Sequence, residues 1–180
     1  MNLKPFRQYS ENDVINLFAP NFTSGDKGSL VTVADGFVSS DEATNVAIEG
    51  MQVANYVVNY RRVVPAQVRL STSGEGKGDV LGMMLYNVRS TNFLGVNLLF
   101  DRARREEGEL AISGDAMPVV KRGFFLVAGF TGTPGAGSGA VTANGGAGAG
   151  LVTNGRNAKD VGEFLGAPDT DGYALFYLNV

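Results

Sequence analysis

Short runs of β-branched and aromatic residues, separated by glycine-containing turns, recur along this chain and constrain its fold more than any other feature. Glycine accounts for 25 of the 180 residues, about twice the share found in average proteins. Residues 67–72, 80–86 and 94–100 have the length and composition of strands. Sustained helical periodicity between such runs is missing, which argues against an alternating α/β fold. The pattern predicts a mainly β body of roughly eight short strands, arranged as a single β-barrel or as a β-sandwich.

The distribution of proline and glycine changes at two places along the chain and suggests a division into parts. Residues 1–28 are interrupted by proline and glycine, and their apolar residues are scattered, which predicts an extended N-terminal arm. Residues 29–180 then form the body. Within it, residues 131–150 are almost entirely glycine, alanine and threonine, and we expect a long surface loop there.

Two stretches carry a local signal of helix. Ser10 and Asp13 have the spacing of a capping box, which predicts about one helical turn with an apolar face from Val14 onward. In residues 39–52, apolar side chains recur at helical spacing, but the same residues also fit a strand. The sequence leaves that choice open.

The composition excludes several classes of chemistry. The chain contains no histidine and no cysteine, so Ser-His and Cys-His nucleophile pairs and tetrahedral zinc sites cannot form within it. We therefore expect no catalytic, cofactor-binding or metal-binding residues, and a protein that is not an enzyme. The net charge is −3, from 15 basic and 18 acidic side chains, which does not favour a nucleic-acid partner. No apolar run approaches the length of about 18 residues that a transmembrane helix needs, and no membrane partner is expected.

Three motifs invite a functional interpretation that their context does not favour. The glycines of residues 132–150 lack the preceding strand and following helix of a phosphate-binding loop. In residues 101–109, the carboxylates have three arginines as close neighbours, which favours a solvated, salt-bridged segment over a cation site. Residues 169–172 resemble half of a calcium loop, but the position six residues beyond Gly172 is Leu178 rather than Glu. A tight turn into a final strand is the favoured interpretation there.

Several segments resemble the barrel of head decoration and cement proteins from tailed phages. The residues that carry the resemblance are 66–70, 78–82, 86–89 and, most characteristically, the turn and strand at 114–123. The opening residues 4–7 and 13–18 and the ending 169–178 are similar to minor structural proteins of marine podovirus-like phages (cyanophages among them). The segment 131–150 departs from the compact members of that family.

The resemblance implies a structural protein of the virion that has no enzymatic activity. It would bind the major capsid protein on the outer surface of an icosahedral head, at the junctions between capsomers, and stabilise the shell. The family also implies a homo-oligomer, with a trimer favoured and a dimer possible. Such a protein is made in the host cytoplasm and is found on the capsid exterior. The alternative is a carbohydrate-binding or host-adhesion β module of a virion, for which tyrosine or phenylalanine platforms in a shallow groove would be the supporting feature.

The predicted arm suggests how the shell would be bound. An extended segment of 28 residues spans at most roughly 90–100 Å, enough to reach a neighbouring capsomer, and it orders on docking. The predicted anchors are its large apolar side chains, since buried apolar groups carry most of the binding energy of an interface. They are Phe6, Tyr9, Ile15, Leu17 and Phe18. Deletion of residues 1–18 is then expected to leave the body folded and to abolish shell binding.

Overall fold

The computed structural model describes residues 2–35, 47–48, 51–52, 66–92, 94–98, 102–142, 151–154 and 160–180. In this part of the chain the fold is mainly β, as the sequence predicts. The strands are β1 (Asn2–Gln8), β2 (Val14–Pro20), β3 (Leu30–Asp35), β4 (Ala47–Ile48), β5 (Met51–Gln52), β6 (Ala66–Leu70), β7 (Val80–Met84), β8 (Asn87–Val88), β9 (Leu110–Ala111), β10 (Met117–Val120), β11 (Arg122–Ala128), β12 (Ser138–Thr142), β13 (Leu151–Asn154), β14 (Gly162–Phe164) and β15 (Ala174–Asn179). A 3-10 turn at Glu11–Asp13 and the helix α1 (Arg102–Glu107) complete the described elements.

Five strands pair in a closed ring in the order β10-β2-β6-β3-β7. All neighbours in the ring are antiparallel except β2 and β6, which are parallel. Small and medium-sized apolar side chains fill one buried cluster that draws on every strand of the ring except β2, whose Phe18 packs against it. These residues include Val31, Val68, Met84 and Val119.

The other large sheet has six strands in the order β1-β11-β15-β14-β12-β13, all antiparallel. Two of its inner strands, β11 and β15, alternate strictly between buried and more exposed residues, because successive side chains of a strand point to opposite faces. Phe125, Val127, Phe176 and Leu178 lie on the buried face.

One hydrophobic layer joins the ring and the sheet. It contains Leu30, Met83 and Val120 from the ring, together with Phe125 and Phe176 from the sheet. Each of the three ring residues is next in sequence to a residue of the other cluster, so strand alternation sends one side chain into each core. The two sheets are therefore packed on a common core rather than connected by a linker.

A partly buried network of polar contacts reinforces the junction between the ring and the sheet. The Glu75 carboxylate accepts hydrogen bonds from Arg69 Nη2 at 2.5 Å, from Thr32 Oγ1 at 2.8 Å and from the Thr72 backbone N–H at 2.8 Å. The hydroxyl of Thr142, at the end of β12, donates to the Glu75 carbonyl oxygen at 2.9 Å. Glu75 thus connects β3 and β6 of the ring to one strand of the other sheet.

The prediction of an extended arm at residues 1–28 is corrected by the strand pairing. In β1, Leu3 is buried and pairs with Val127 of β11, and β2 lies between β10 and β6 in the ring. The next segment is also held, since Gly28 N–H donates to the Met84 carbonyl at 2.8 Å. The boundary predicted at residue 28 therefore has no counterpart in the pairing of the described residues. Irregular registers in β1 and opposite β2 explain why the apolar residues look scattered in the sequence.

Other local predictions are confirmed in part. Ser10 caps the 3-10 turn, where its Oγ accepts a hydrogen bond from Asn12 N–H at 3.3 Å, but the following residues form β2 instead of an apolar helical face. The expected loop at 131–150 contains β12, and residues 143–150 lie outside the described part. For residues 39–52, the sequence left helix or strand undecided. The described residues of this segment form the paired strands β4 and β5, and its other residues lie outside the described part of the chain. The described strands form a five-stranded ring beside a six-stranded sheet. Whether the body as a whole is a barrel or a sandwich stays a prediction, and so does the count of eight strands.

Candidate functional site

An apolar strip covers part of the outer face of the six-stranded sheet. Alternation places Phe124 and Leu126 of β11, and Leu175 and Tyr177 of β15, on the face opposite the core. The register pairs Phe124 with Tyr177 and Leu126 with Leu175. Leu165 extends the strip beside Leu175, whose carbonyl accepts the Leu165 N–H at 2.9 Å. We call these five residues the outer strip.

The outer strip is accessible to a partner. Phe124 is 37% exposed and Leu165 is 38% exposed, while the other three are half-buried by their neighbours. The rings of Phe124 and Tyr177 lie 4.9 Å apart between centroids, a distance at which aromatic rings stabilise each other. Adjacent exposed apolar side chains of this kind mark interaction surfaces more often than isolated ones do.

Polar groups bound the outer strip at both ends of β15. Where β15 ends, the Arg122 guanidinium donates to Asn179 Oδ1 at 3.2 and 3.3 Å. Where β15 begins, Lys4 Nζ lies 3.2 Å from carboxylate oxygens of both Asp169 and Asp171. An apolar centre with a polar rim is the usual anatomy of a protein–protein interface.

The motif that resembles half of a calcium loop is a turn that binds an ammonium group. Asp169 Oδ1 accepts the backbone N–H groups of Asp171 at 3.0 Å and Tyr173 at 2.8 Å, and Gly172 has φ of +81°. The Tyr173 N–H and Lys4 hold the pKa of Asp169 below its ordinary value. Lys4 Nζ also lies 4.2 Å from the centre of the Tyr173 ring. The predicted tight turn before the last strand is confirmed, and Lys4 fills the position between the two carboxylates.

A second surface feature is a groove on the ring side of the molecule. A cavity of about 740 Å³ lies near α1, and an adjoining cavity of about 410 Å³ lies near the 3-10 turn. Asn16, Tyr86 and Pro118 line both cavities, so the two form one elongated depression. We call it the Tyr86 groove. None of the five outer-strip residues lines it.

The charged residues along the Tyr86 groove are largely paired. Arg105, from α1, forms an ion pair with Asp115, and Glu109 forms one with Lys27 at 2.9 Å. Glu109 adopts a positive φ of 50°, a conformation that side chains other than glycine seldom take. The arrangement agrees with the salt-bridged segment predicted for residues 101–109. Among the described residues, no three His, Cys, Asp or Glu side chains are grouped so that they could hold a metal ion.

The residues predicted as shell anchors do not form one exposed surface. Tyr9 stacks on Phe125, with 5.9 Å between ring centroids, and Phe18 packs against the core inside the ring. Ile15 is half-buried, Leu17 is 58% exposed, and the side chain of Phe6 lies outside the described part. Leu17 is therefore the one described anchor with a largely free surface, and the shell-binding role of the five stays a prediction.

The outer strip was missed in the sequence although a signal for it exists. Residues 124–127 are apolar at four consecutive positions, whereas a strand with one face in water normally alternates apolar and polar residues. Residues 174–178 show the same pattern. Two strands that are apolar on both faces indicate either two buried faces or one face kept for a partner.

A comparison with protein-family models found no match, and comparisons with curated proteins and with solved structures found none either. Within the described residues, no helix is long and apolar enough to cross a membrane. The functional argument therefore depends on the two surfaces described above.

Proposed function

We propose that this chain is a cement (decoration) protein of a tailed-phage head, and that the outer strip seats it on the shell. The observation that carries the proposal is the apolar strip on the outer face of the six-stranded sheet, formed by Phe124, Leu126, Leu165, Leu175 and Tyr177. These side chains add nothing to the core, which lies on the other face of the same strands. A surface of this composition gains free energy when a partner removes it from water.

In this proposal the strip replaces the arm as the principal contact with the major capsid protein. Seated at capsomer junctions on the capsid exterior, each copy joins neighbouring capsomers, and many copies per head raise the strength of the shell by multivalency. The protein acts as a homo-oligomer, with a trimer favoured and a dimer possible. Its role is structural and not enzymatic, and it is made in the host cytoplasm.

The open edges of the six-stranded sheet support self-association. Among the described strands, β1 pairs only with β11, and β13 pairs only with β12. The Leu151 carbonyl of β13 already accepts the Thr131 N–H at 2.7 Å, but the other outward backbone groups of the two edge strands are of the kind that a strand of another copy can pair with. An oligomer built through these edges would keep the outer strips of its subunits available to the shell.

The test is co-sedimentation of purified protein with heads of the encoding phage from which the protein has been stripped. Phe124→Glu places a charge in the centre of the outer strip and is expected to abolish saturation of the heads. Leu94→Glu is the matched control, because Leu94 is 64% exposed and lies outside the strip, and it should bind like the unmodified protein. Urea unfolding of each variant checks that the fold is retained.

A third variant separates the strip from the predicted anchors. Leu17→Glu changes the anchor that is most exposed and is expected to bind normally if the strip is the contact. Loss of binding in Leu17→Glu together with normal binding of Phe124→Glu would indicate that β2, and not the outer strip, contacts the shell. If the unmodified protein does not bind stripped heads at all, the cement proposal is wrong.

A further inference from the structure

We propose that the Tyr86 groove is a binding site for a neutral oligosaccharide. The proposal goes beyond shell binding, since it assigns a ligand to a surface that shares no residue with the outer strip. The larger of the two cavities, at about 740 Å³, has the size of a small-molecule site. Because the second cavity continues it past the same tyrosine, the space suits an extended chain of units more than a compact molecule.

The lining has the mixed chemistry that sugars require. A pyranose ring has apolar C–H faces and a hydroxyl-bearing edge, so it needs aromatic or aliphatic surface together with planar groups that donate and accept hydrogen bonds. Tyr86 and Pro118 supply the first kind of surface in the middle of the groove. The amide of Asn16, the guanidinium of Arg105 and the carboxylate of Asp115 supply the second. These groups lie on β2, on α1 and in the turn before β10, so the fold brings them together.

The charges argue for a ligand without charge. Arg105 is paired with Asp115, so an anionic ligand would have to compete with a carboxylate already in place. Further carboxylates, those of Glu11, Glu106 and Glu109, lie along the same depression and would repel an anion. A sulfated or uronic-acid glycan, or a phosphorylated ligand, is therefore disfavoured relative to a neutral one.

One polar atom of a residue that lines the groove is buried and lacks a partner. The Arg105 side chain is 14% exposed, and within the described part of the chain its Nε has no hydrogen-bond acceptor. A buried donor without an acceptor is energetically unfavourable. A sugar hydroxyl bound beside the guanidinium would supply an acceptor after a small shift of the side chain, and this favours binding of an oxygen-rich ligand here.

The experiment begins with the full chain on an array of glycans that holds neutral and anionic oligosaccharides of matched length. The strongest neutral ligand is then titrated calorimetrically. Ala116→Trp fills the groove from an exposed position that lines it, and should weaken binding by about tenfold or more. Ala167→Trp, at an exposed alanine elsewhere, should bind like the unmodified chain. Asn16→Ala removes one hydrogen-bonding group from an exposed position and provides a second test if the tryptophan disturbs the fold.

The outcomes are distinct from those of the shell-binding test. Retention of neutral glycans, weakened by Ala116→Trp or Asn16→Ala and not by Ala167→Trp, supports the site. Retention of anionic glycans alone, an empty array, or unchanged binding by both groove variants overturns it. Ala116→Trp should still saturate stripped phage heads, whereas Phe124→Glu should still bind the glycan.

Discussion

At the scale of single residues, the carboxylate of Glu75 links the stability of the fold to pH. Burial alone would raise its pKa, but hydrogen bonds from Arg69, Thr72 and Thr32 outweigh burial and lower the pKa from 4.5 to about 2. A carboxyl with a lower pKa in the folded chain stabilises the fold above the unfolded pKa, and the contribution is lost as the pH falls toward the folded pKa. We expect Glu75→Gln to lower the free energy of unfolding by about 2 kcal/mol at pH 7 and by much less near pH 2.

Urea unfolding at a series of pH values between 7 and 2 measures this dependence. The unmodified chain should lose stability mainly between pH 4.5 and about 2, and Glu75→Gln should show a flatter profile over that interval. Glu107→Gln is the matched control, because Glu107 is an exposed glutamate on α1. An equal loss of stability at every pH would mean that the charge of Glu75 does not contribute.

At the scale of elements, β2 is a member of the ring and cannot be removed like an arm. It lies between β10 and β6, and its Ala19 is buried. Deletion of residues 1–18 takes away most of this strand, which opens the ring and exposes the core inside it. We therefore expect the truncated chain to lose its cooperative unfolding transition, contrary to the expectation drawn from the sequence.

A shorter deletion provides the comparison. Removal of residues 1–8 takes away β1, an edge strand of the other sheet, and leaves the ring complete. This variant should be less stable but still unfold cooperatively, as followed by circular dichroism in urea. If the chain without residues 1–18 unfolds as cooperatively as the unmodified protein, the result would support the extended arm that the sequence predicts.

The elements also indicate how far the sequence could lead. The strands at residues 117–128 and 174–179 were recognisable because β-branched and aromatic residues are concentrated there. β1 and β2 were not, because proline and irregular registers interrupt their alternation. Their burial depends on partners roughly 50 to 125 residues away in the chain, which no local pattern encodes. The Tyr86 groove could not be predicted from the sequence for the same reason, since Asn16, Tyr86 and Pro118 meet only in the folded chain.

At the scale of the whole molecule, the layer shared by ring and sheet should make the two unfold as one unit. Leu30 is fully buried in this layer and belongs to β3 of the ring. Leu30→Ala should cost about 3 kcal/mol through lost burial and the cavity left behind. Because Phe125 and Phe176 of the sheet line the same layer, Leu30→Ala should lower the stability of both the ring and the sheet.

Native-state hydrogen exchange tests this coupling directly, since amides that exchange only through global unfolding report its free energy. Leu30→Ala should lower the protection of β7 amides in the ring and of β15 amides in the sheet by the same amount. Leu94→Ala, at an exposed leucine, should lower neither. Unchanged protection of β15 beside weakened protection of β7 would mean that the sheet folds independently of the ring. In the proposed cement role this coupling matters, because a load applied to the outer strip is resisted by the whole core only when sheet and ring open together.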